Sequence, residues 1–300
     1  MNYNQLKSFI YVVELESFSK ASEALYLTQP TVTTHVKSLE KHLNTLLFDR
    51  HHKGIALTQS GQILYQHALE IVRLNDQAQS DIEKLGNQVY GDLKMACSLT
   101  IGEFILPNIL KEVNEHYPLI HVSAEILNTN TIIDRIANHQ IDIGLIETHV
   151  EHDFLQIEPF TDDELVLISS QGYFDNAGAI SLEDLKNVPL ILREPGSGTR
   201  AEVESLFKRF GLGVGQFDVT LELGSTEAIK NAVINELGVS IISKRCVKKE
   251  LELGLLDVHP FAEGELKRQF YIASHRTKVM RPIEELFCHM VKQHDYDRLV

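Results

Sequence analysis

The 300-residue chain has no tryptophan and only 7% aromatic residues, which argues against a stacking pocket for a large planar ligand. Its three cysteines, Cys97, Cys246 and Cys288, stand apart with no CxxC or CxxH spacing. Neither a disulfide framework nor a zinc site is therefore indicated. No apolar run approaches the roughly 20 residues that a membrane span needs. The opening MNYNQLKSF lacks the charged and apolar segments of a signal peptide, so a cytoplasmic protein without membrane contact is expected. GxSxG, HExxH, the P-loop and the dinucleotide GxGxxG are missing too. The glycines of Gly211–Gly215 follow a helical stretch and read as a turn, and solvation explains the His149, Glu151, His152 and Asp153 cluster. No catalytic residue, cofactor or metal is expected, and the chain does not read as an enzyme.

What is present is unevenly distributed. The net charge of −14 sits almost wholly in residues 91–300, with 20 Lys and Arg against 33 Asp and Glu. Residues 1–90 hold 8 against 9. Within them, Lys37, Lys41, Arg50 and Lys53 make 28–53 locally positive. An acidic body would suppress non-specific DNA association, because phosphate contacts supply most of that affinity. The length allows about two domains.

Residues 18–43 read as two short helices joined by a tight polar turn. Leu6, Phe9, Ile10 and Val13 give a preceding helix one apolar stripe. Ser19 is the expected cap of the next helix, with Ala21, Ala24 and Leu25 inward. Thr28 caps the third, and Pro30 sits where a missing N–H costs nothing. Val32, Val36, Leu39 and Leu43 form its buried face, and Asn44 is a left-handed stop. Small hydroxyl and amide groups remain outside, which suits a helix-turn-helix reader in the major groove. Leu47, Phe48, Ile55 and Leu57 then form a hairpin, with Arg50, His52 and Lys53 on a wing. The expected DNA contacts are Thr28, Gln29, Pro30, Thr31, Thr33, Thr34, Lys37, Arg50, His52 and Lys53.

From Thr58 to about Leu85 the chain is helical and proline-free. Leu64, Ala68, Ile71, Asn75, Ala78, Ile82 and Leu85 advance in steps of three and four, a coiled-coil seam with one polar position. Packing on its own domain would also explain the stripe, but a helix of about 28 residues has little stability alone, so pairing with a second copy is expected. Two readers on one dimer imply a pseudo-palindromic double-stranded DNA site.

Residues 91–300 alternate strand-like and helical runs. DLKMACS, HVSAEIL, DIGLIE, ELVLISS, VPLILR, VTLEL, VSIIS and QFYIAS read as strands, with helices at 104–116, 132–139, 200–210 and 227–235. This order fits two doubly wound α/β lobes with a ligand between them. Ser98–Gly102, Asn128–Thr131, Arg193–Arg200 and Gly224–Glu227 lie where strands hand over to helices. Hydroxyls and open backbone N–H groups there favour a small anionic effector. The expected contacts are Ser98, Thr100, Ile101, Thr129, Arg193, Ser197, Gly198, Thr199 and Thr226, with Thr100 and Thr199 foremost and Arg200 a further cation. Ordinary helix capping is the competing account of each segment taken alone.

Ala21-x3-Leu25-x-Leu27-Thr28-Gln29-Pro30-Thr31-Val32-Thr33-x2-Val36-x2-Leu39-Glu40, with Leu47-Phe48-x-Arg50 and Leu57-Thr58-x2-Gly61, resembles the signature of LysR-type transcriptional regulators. The resemblance covers about 60 contiguous residues. It departs from the usual pattern at Ser22, commonly Ala, and Asn44, commonly Gly, and the family varies at Thr34 and His35. It implies a winged helix-turn-helix domain over 1–58, a linker and dimerisation helix over 59–90, and an effector domain over 91–300 with a periplasmic-binding-protein-like architecture. Lobe I would comprise 91–162 and 267–300, lobe II 163–266. The family also implies homodimers that pair into tetramers. Arg193–Arg200, REPGSGTR, resembles members governing sulfur assimilation or carbon fixation, which points to sulfate, sulfite or a small acidic metabolite. Three rivals remain: a redox sensor acting through Cys97, a solute-binding module, which residues 1–60 contradict, and a constitutive DNA binder with a vestigial pocket.

Overall fold

The structure, a computed structural model, describes residues 1–49, 55–83, 89–174 and 178–296. Three helices open the chain: α1 Tyr3–Glu14, α2 Phe18–Ala24 and α3 Gln29–Leu43. Ser17 caps α2, its side chain accepting from the Lys20 N–H at 3.2 Å. The expected Ser19 cap is thus displaced by two residues; Ser19 lies inside α2, where its carbonyl accepts from Ser22 Oγ. Thr28 caps α3, and Asn44 ends it in the left-handed region at φ 51°. Val32, Val36 and Leu39 are buried, but Leu43 is 38% exposed, because the chain turns away at Asn44 before anything covers the last turn. The core of this domain is Leu6, Phe9, Ile10, Val12, Ala21, Val32, Val36, Leu39 and Leu47.

The two hairpin arms meet at an antiparallel bridge between Phe48 and Leu57. Helix α4 spans Gln59–Glu83. Thr58 caps it, accepting from the Gly61 N–H at 3.0 Å. A Cβ at Gly61 would run into the Leu47 carbonyl oxygen, so only glycine lets α4 pass beneath the wing. Leu64 and Ala68 of the expected seam bury against the reader itself. Beyond them Ile71, Leu74 and Ile82 are exposed, as is Ile63 earlier on the helix. The stripe is therefore shared between the helix's own domain and an uncovered row. Leu85 lies outside the described residues.

The remaining elements are β1 Gly91–Cys97, α5 Leu99–Phe104, α6 Leu106–His116, β2 Ile120–Ile126, α7 Thr129–Ala137, β3 Ile143–Ile146, β4 Leu155–Ser170, α8 Leu182–Leu185, β5 Leu190–Arg193, α9 Gly198–Arg209, β6 Val219–Leu223, α10 Thr226–Ile234, β7 Val239–Ser243, α11 Lys248–Glu252, β8 Leu256–His259, β9 Leu266–His275 and α12 Pro282–Gln293. The helix expected over 104–116 is α6, starting two residues later, and a short helix not expected there, α5, takes up most of the Ser98–Gly102 segment. β8 and the first half of β4 have no counterpart among the expected strands, because Pro159 and the Asp162–Asp163 pair interrupt the alternation in β4 and β8 is only four residues long.

The strand order is β2-β1-β3-β9-β4-β7-β5-β6, with β8 on β4. β1 to β3 pair in parallel, as do β5, β6 and β7. The two groups are joined by β4 and β9, which run antiparallel from Leu155–His275 to Leu165–Leu266. Each half has cores on both faces. Ile101, Ile109, Phe270 and Phe287 lie on one face of the first half, and Ile132, Ile136 and Leu155 on the other. Leu165, Leu192, Phe207 and Leu266 lie on one face of the second half, and Ile168, Ile229, Val233 and Ile242 on the other. These are two doubly wound lobes hinged on a pair of crossing strands.

Candidate functional site

The outer face of α3 is presented by packing on the opposite side. Gln29, Pro30, Thr34 and Lys37 are exposed, while Thr28, at the cap, is exposed as well and Thr31 and Thr33 are half-buried. Thr33 Oγ1 donates to the Gln29 carbonyl at 2.9 Å and Thr34 Oγ1 to the Pro30 carbonyl at 2.8 Å. With their protons engaged, these hydroxyls offer oxygen lone pairs and methyl groups outward, which suit base-edge donors and thymine methyls. Gln29 and Lys37 supply an amide and an ammonium. Sequence reasoning missed two fixtures of this surface. His35 Nδ1 lies 2.7 Å from Ser8 Oγ and ties α3 to α1. Glu40 Oε1 accepts the Leu47 N–H at 3.0 Å and sets the start of the wing. Arg50, His52 and Lys53 lie outside the described residues.

The second set of residues gathers between the lobes. All four expected segments follow parallel strands: Ser98 follows β1, Asn128 follows β2, Glu194 follows β5 and Gly224 follows β6. This is the end of an α/β sheet at which ligands bind. Three segments are knitted together. The Asn130 N–H reaches the Gly196 carbonyl at 3.4 Å. A Cβ on Gly198 would sit 2.8 Å from Thr129 Oγ1 and 2.9 Å from Glu147 Cβ, so glycine is required for the lobes to approach this closely. Thr226 is buried at the start of α10, whose Lys230 Nζ lies 5.6 Å from the centre of the Phe104 ring of α5.

At the centre lies a group absent from the expected set. Glu147, just after β3, is 1% exposed. Its carboxylate accepts from the Thr100 N–H at 3.1 Å, Thr199 Oγ1 at 2.5 Å and Arg268 Nη1 at 2.9 Å. Arg268 in turn donates to Asp163 Oδ2 at 2.7 Å, and Ser243 Oγ donates to Asp163 Oδ1 at 2.7 Å. Burial alone would raise the Glu147 pKa, but the Arg268 charge and the Thr199 hydroxyl overcome it and hold the group at about 2. Thr100 and Thr199, singled out as anion contacts, thus point at an anion that belongs to the chain.

Thr129 Oγ1 and Arg268 Nη2 are buried around this carboxylate with no hydrogen-bond partner among the described residues, and the Ser98 hydroxyl faces the carboxylate and helps to hold its pKa down. Other expected contacts are placed differently. Ile101 is fully buried in the first-lobe core, packed with Leu93, Met95 and Ile109 rather than beside Glu147. Arg193 is engaged by Glu194 through two bonds of 2.8 and 3.0 Å. Arg200 is held by Glu204 and Glu222 at 2.6 and 2.8 Å. Ser197 caps α9, accepting from the Arg200 N–H. The cation directed at the centre is Arg268. Its signal was legible, since Leu266, Arg268, Phe270 and Ile272 alternate along β9 and place an arginine among apolar inward positions.

Cys97 is fully buried, and burial pushes its thiol up to about 12. It remains protonated at neutral pH, so the thiolate chemistry of a redox sensor lacks its nucleophile. No helix among the described residues is long and apolar enough to cross a membrane.

A helix-turn-helix surface joined to two α/β lobes with buried donors between them defines a ligand-sensing transcriptional regulator. The chain belongs to the LysR family: residues 3–62 match the bacterial regulatory helix-turn-helix protein, lysR family, and residues 86–295 match the LysR substrate binding domain. It is a regulator and not an enzyme. Over 305 residues it is 37% identical to the HTH-type transcriptional regulator CysL of Bacillus subtilis, with all of both chains covered. The Synechocystis CcmR regulatory domain, solved in complex with 2-PG, is 31% identical with a TM-score of 0.62, over 67% of this chain and 96% of that one. A full-length OxyR variant from Pseudomonas aeruginosa shares the fold at 22% identity, with a TM-score of 0.67 over 98% and 95% of the two chains.

Proposed function

We propose that this regulator is switched, in the cytoplasm, by a small oxyanion or acidic metabolite that enters between the lobes and competes with Glu147. The single observation that carries this reading is the pair of unpartnered buried groups, Thr129 Oγ1 and Arg268 Nη2, beside that carboxylate. Each buried unsatisfied group costs about 1–3 kcal/mol, which an anion accepting from both would recover. The effector borrows the Thr100 N–H, the Thr199 hydroxyl and the Arg268 guanidinium, and the lobes reset about β4 and β9. This is a population shift, and it requires different affinities for the two arrangements. Sulfate and sulfite are candidates from the Arg193–Arg200 segment, and 2-PG from the CcmR complex.

The reader contacts DNA through Gln29, Thr34 and Lys37 with flanking Thr28, Pro30, Thr31 and Thr33. α4 pairs with a second copy along Ile63, Ile71, Leu74 and Ile82, so that two readers span a pseudo-palindromic operator, and further pairing gives a tetramer. The functional division follows the segments 1–58, 59–90 and 91–300.

Thermal melting of the full chain against sulfate, sulfite, thiosulfate, phosphate, acetylserine and 2-PG tests the effector. A ligand at about 100 times its Kd adds about 2.7 kcal/mol. The expected result is a shift with one anion that disappears in Thr199→Ala while operator binding persists. No shift with any of them overturns the anion reading.

A further inference from the structure

The junction between the reader and the first lobe holds a cluster that neither DNA contact nor effector binding uses. Glu14 ends α1, His139 lies two residues past α7 and His275 ends β9, so two domains contribute one carboxylate and two imidazoles. One potential ligand atom of each lies within 4.8 Å of the other two. His139 Nε2 is 2.9 Å from Glu14 Oε2, with side-chain exposures of 11% and 3%. Tyr11 stacks on the His139 ring at 4.2 Å, and His139 holds the left-handed φ of 54° that turns it into the junction.

His275 is the telling member. It is 3% exposed, and its Nε2 has no hydrogen-bond partner among the described residues. Its other nitrogen, Nδ1, is 3.0 Å from Thr277 Oγ1 and 3.4 Å from the Thr277 N–H. If Nδ1 accepts from that N–H, a proton on Nε2 is buried without an acceptor. If Nδ1–H donates to the hydroxyl, the Nε2 lone pair is buried without a donor. The second arrangement is how an outer hydrogen bond fixes the tautomer of a metal-binding imidazole. A cavity of about 360 Å³ lined by Tyr11, Glu14, His139 and His275 supplies an entry path and room for water.

We propose that Glu14, His139 and His275 bind one divalent transition-metal ion of the zinc class, which clamps the DNA-binding domain to the first lobe. Two imidazoles and a carboxylate suit such an ion and leave its fourth position to water from the cavity. Bonds of about 2.0–2.2 Å require the donors to close in by roughly 1 Å, and the ion would take the place of the His139–Glu14 hydrogen bond. The proposal stands apart from the effector reading, since none of these residues touches the Glu147 site.

The test uses full-length protein stripped by a chelator and titrated with Co²⁺, then Zn²⁺. The expected result is one Co²⁺ per protomer, the strong visible absorption of a four-coordinate ion, displacement by Zn²⁺ and a raised melting temperature. Glu14→Gln and His139→Asn, made separately, should each weaken Co²⁺ binding at least about tenfold and abolish the absorption. Asparagine tolerates the left-handed position, and the ion-free melt of each variant checks its folding, so either variant decides if the other does not fold. Absence of the four-coordinate signal in the wild type, or an undiminished signal in a folded variant, overturns the proposal.

Discussion

Glu147 is a carboxylate kept ionised at 1% exposure by donors from both lobes. Its pKa of about 2 lies below the ordinary value near 4.3. The folded state therefore gains stability from the ionised group above about pH 4, and loses it as pH falls through about 4 towards 2. Glu147→Gln removes one member of a buried ion pair and leaves Arg268 with Asp163 alone. We expect a loss of about 3 kcal/mol at pH 7 and a shallower acid limb, both read from urea melts across pH 2–7. Equal stability with an unchanged acid limb would show that the pair is energetically idle.

Among the elements, α3 and α4 have one buried face each and differ in what covers the other. On α3, Thr34 is exposed and its methyl and lone pairs face outward, because its proton is bonded to Pro30. Thr34→Ala should leave the melting temperature and oligomer size unchanged and weaken operator binding by about 1 kcal/mol, seen in gel shifts at fixed salt. Wild-type affinity would remove Thr34 from the contact face. On α4, Leu74 is 61% exposed and Ile82 68%, an apolar row too long to face water without a partner. Leu74→Glu should convert dimers to monomers in sedimentation velocity while helicity persists. Dimers that survive it would place the interface elsewhere. The family signature is explained at this scale too: Gly61 clears the Leu47 carbonyl, and Glu40 anchors the Leu47 N–H.

Over the whole molecule, charge is segregated as fold is. The body carries nearly all of the −14 and the reader almost none. Residues 1–83 have their own core and should bind non-specific DNA more tightly than the full chain at low salt, with the difference shrinking as salt is raised. Fluorescence anisotropy on random duplex reads this directly, and equal affinities would show that the acidic body lies outside the reach of the DNA. β4 and β9 are the strands common to both lobes, and Asp163 and Arg268 sit on them, so the proposed effector, in competing with Glu147, would act on those two strands directly.

The reader was legible from residue order alone because its determinants are local. A cap at Thr28, Pro30 one residue into the helix, an apolar stripe of period 3.6 and Asn44 as a left-handed stop act within a few residues of one another. Ser17 in place of Ser19 shows the resolution of that reading, which is about half a helical turn. The alternation of strands and helices likewise announced two doubly wound lobes, and the hydroxyl-rich segments at their strand ends were found in place. Only tertiary structure decided what those hydroxyls face. Glu147 is 121 residues from Arg268 and 52 from Thr199, and no periodicity links residues that meet only when two long strands cross. The same holds for Glu14, His139 and His275, and for the split of the α4 stripe between its own domain and an open row. Local sequence sets which elements form and which face is apolar; burial of polar groups is settled where distant elements meet, since only there is water removed.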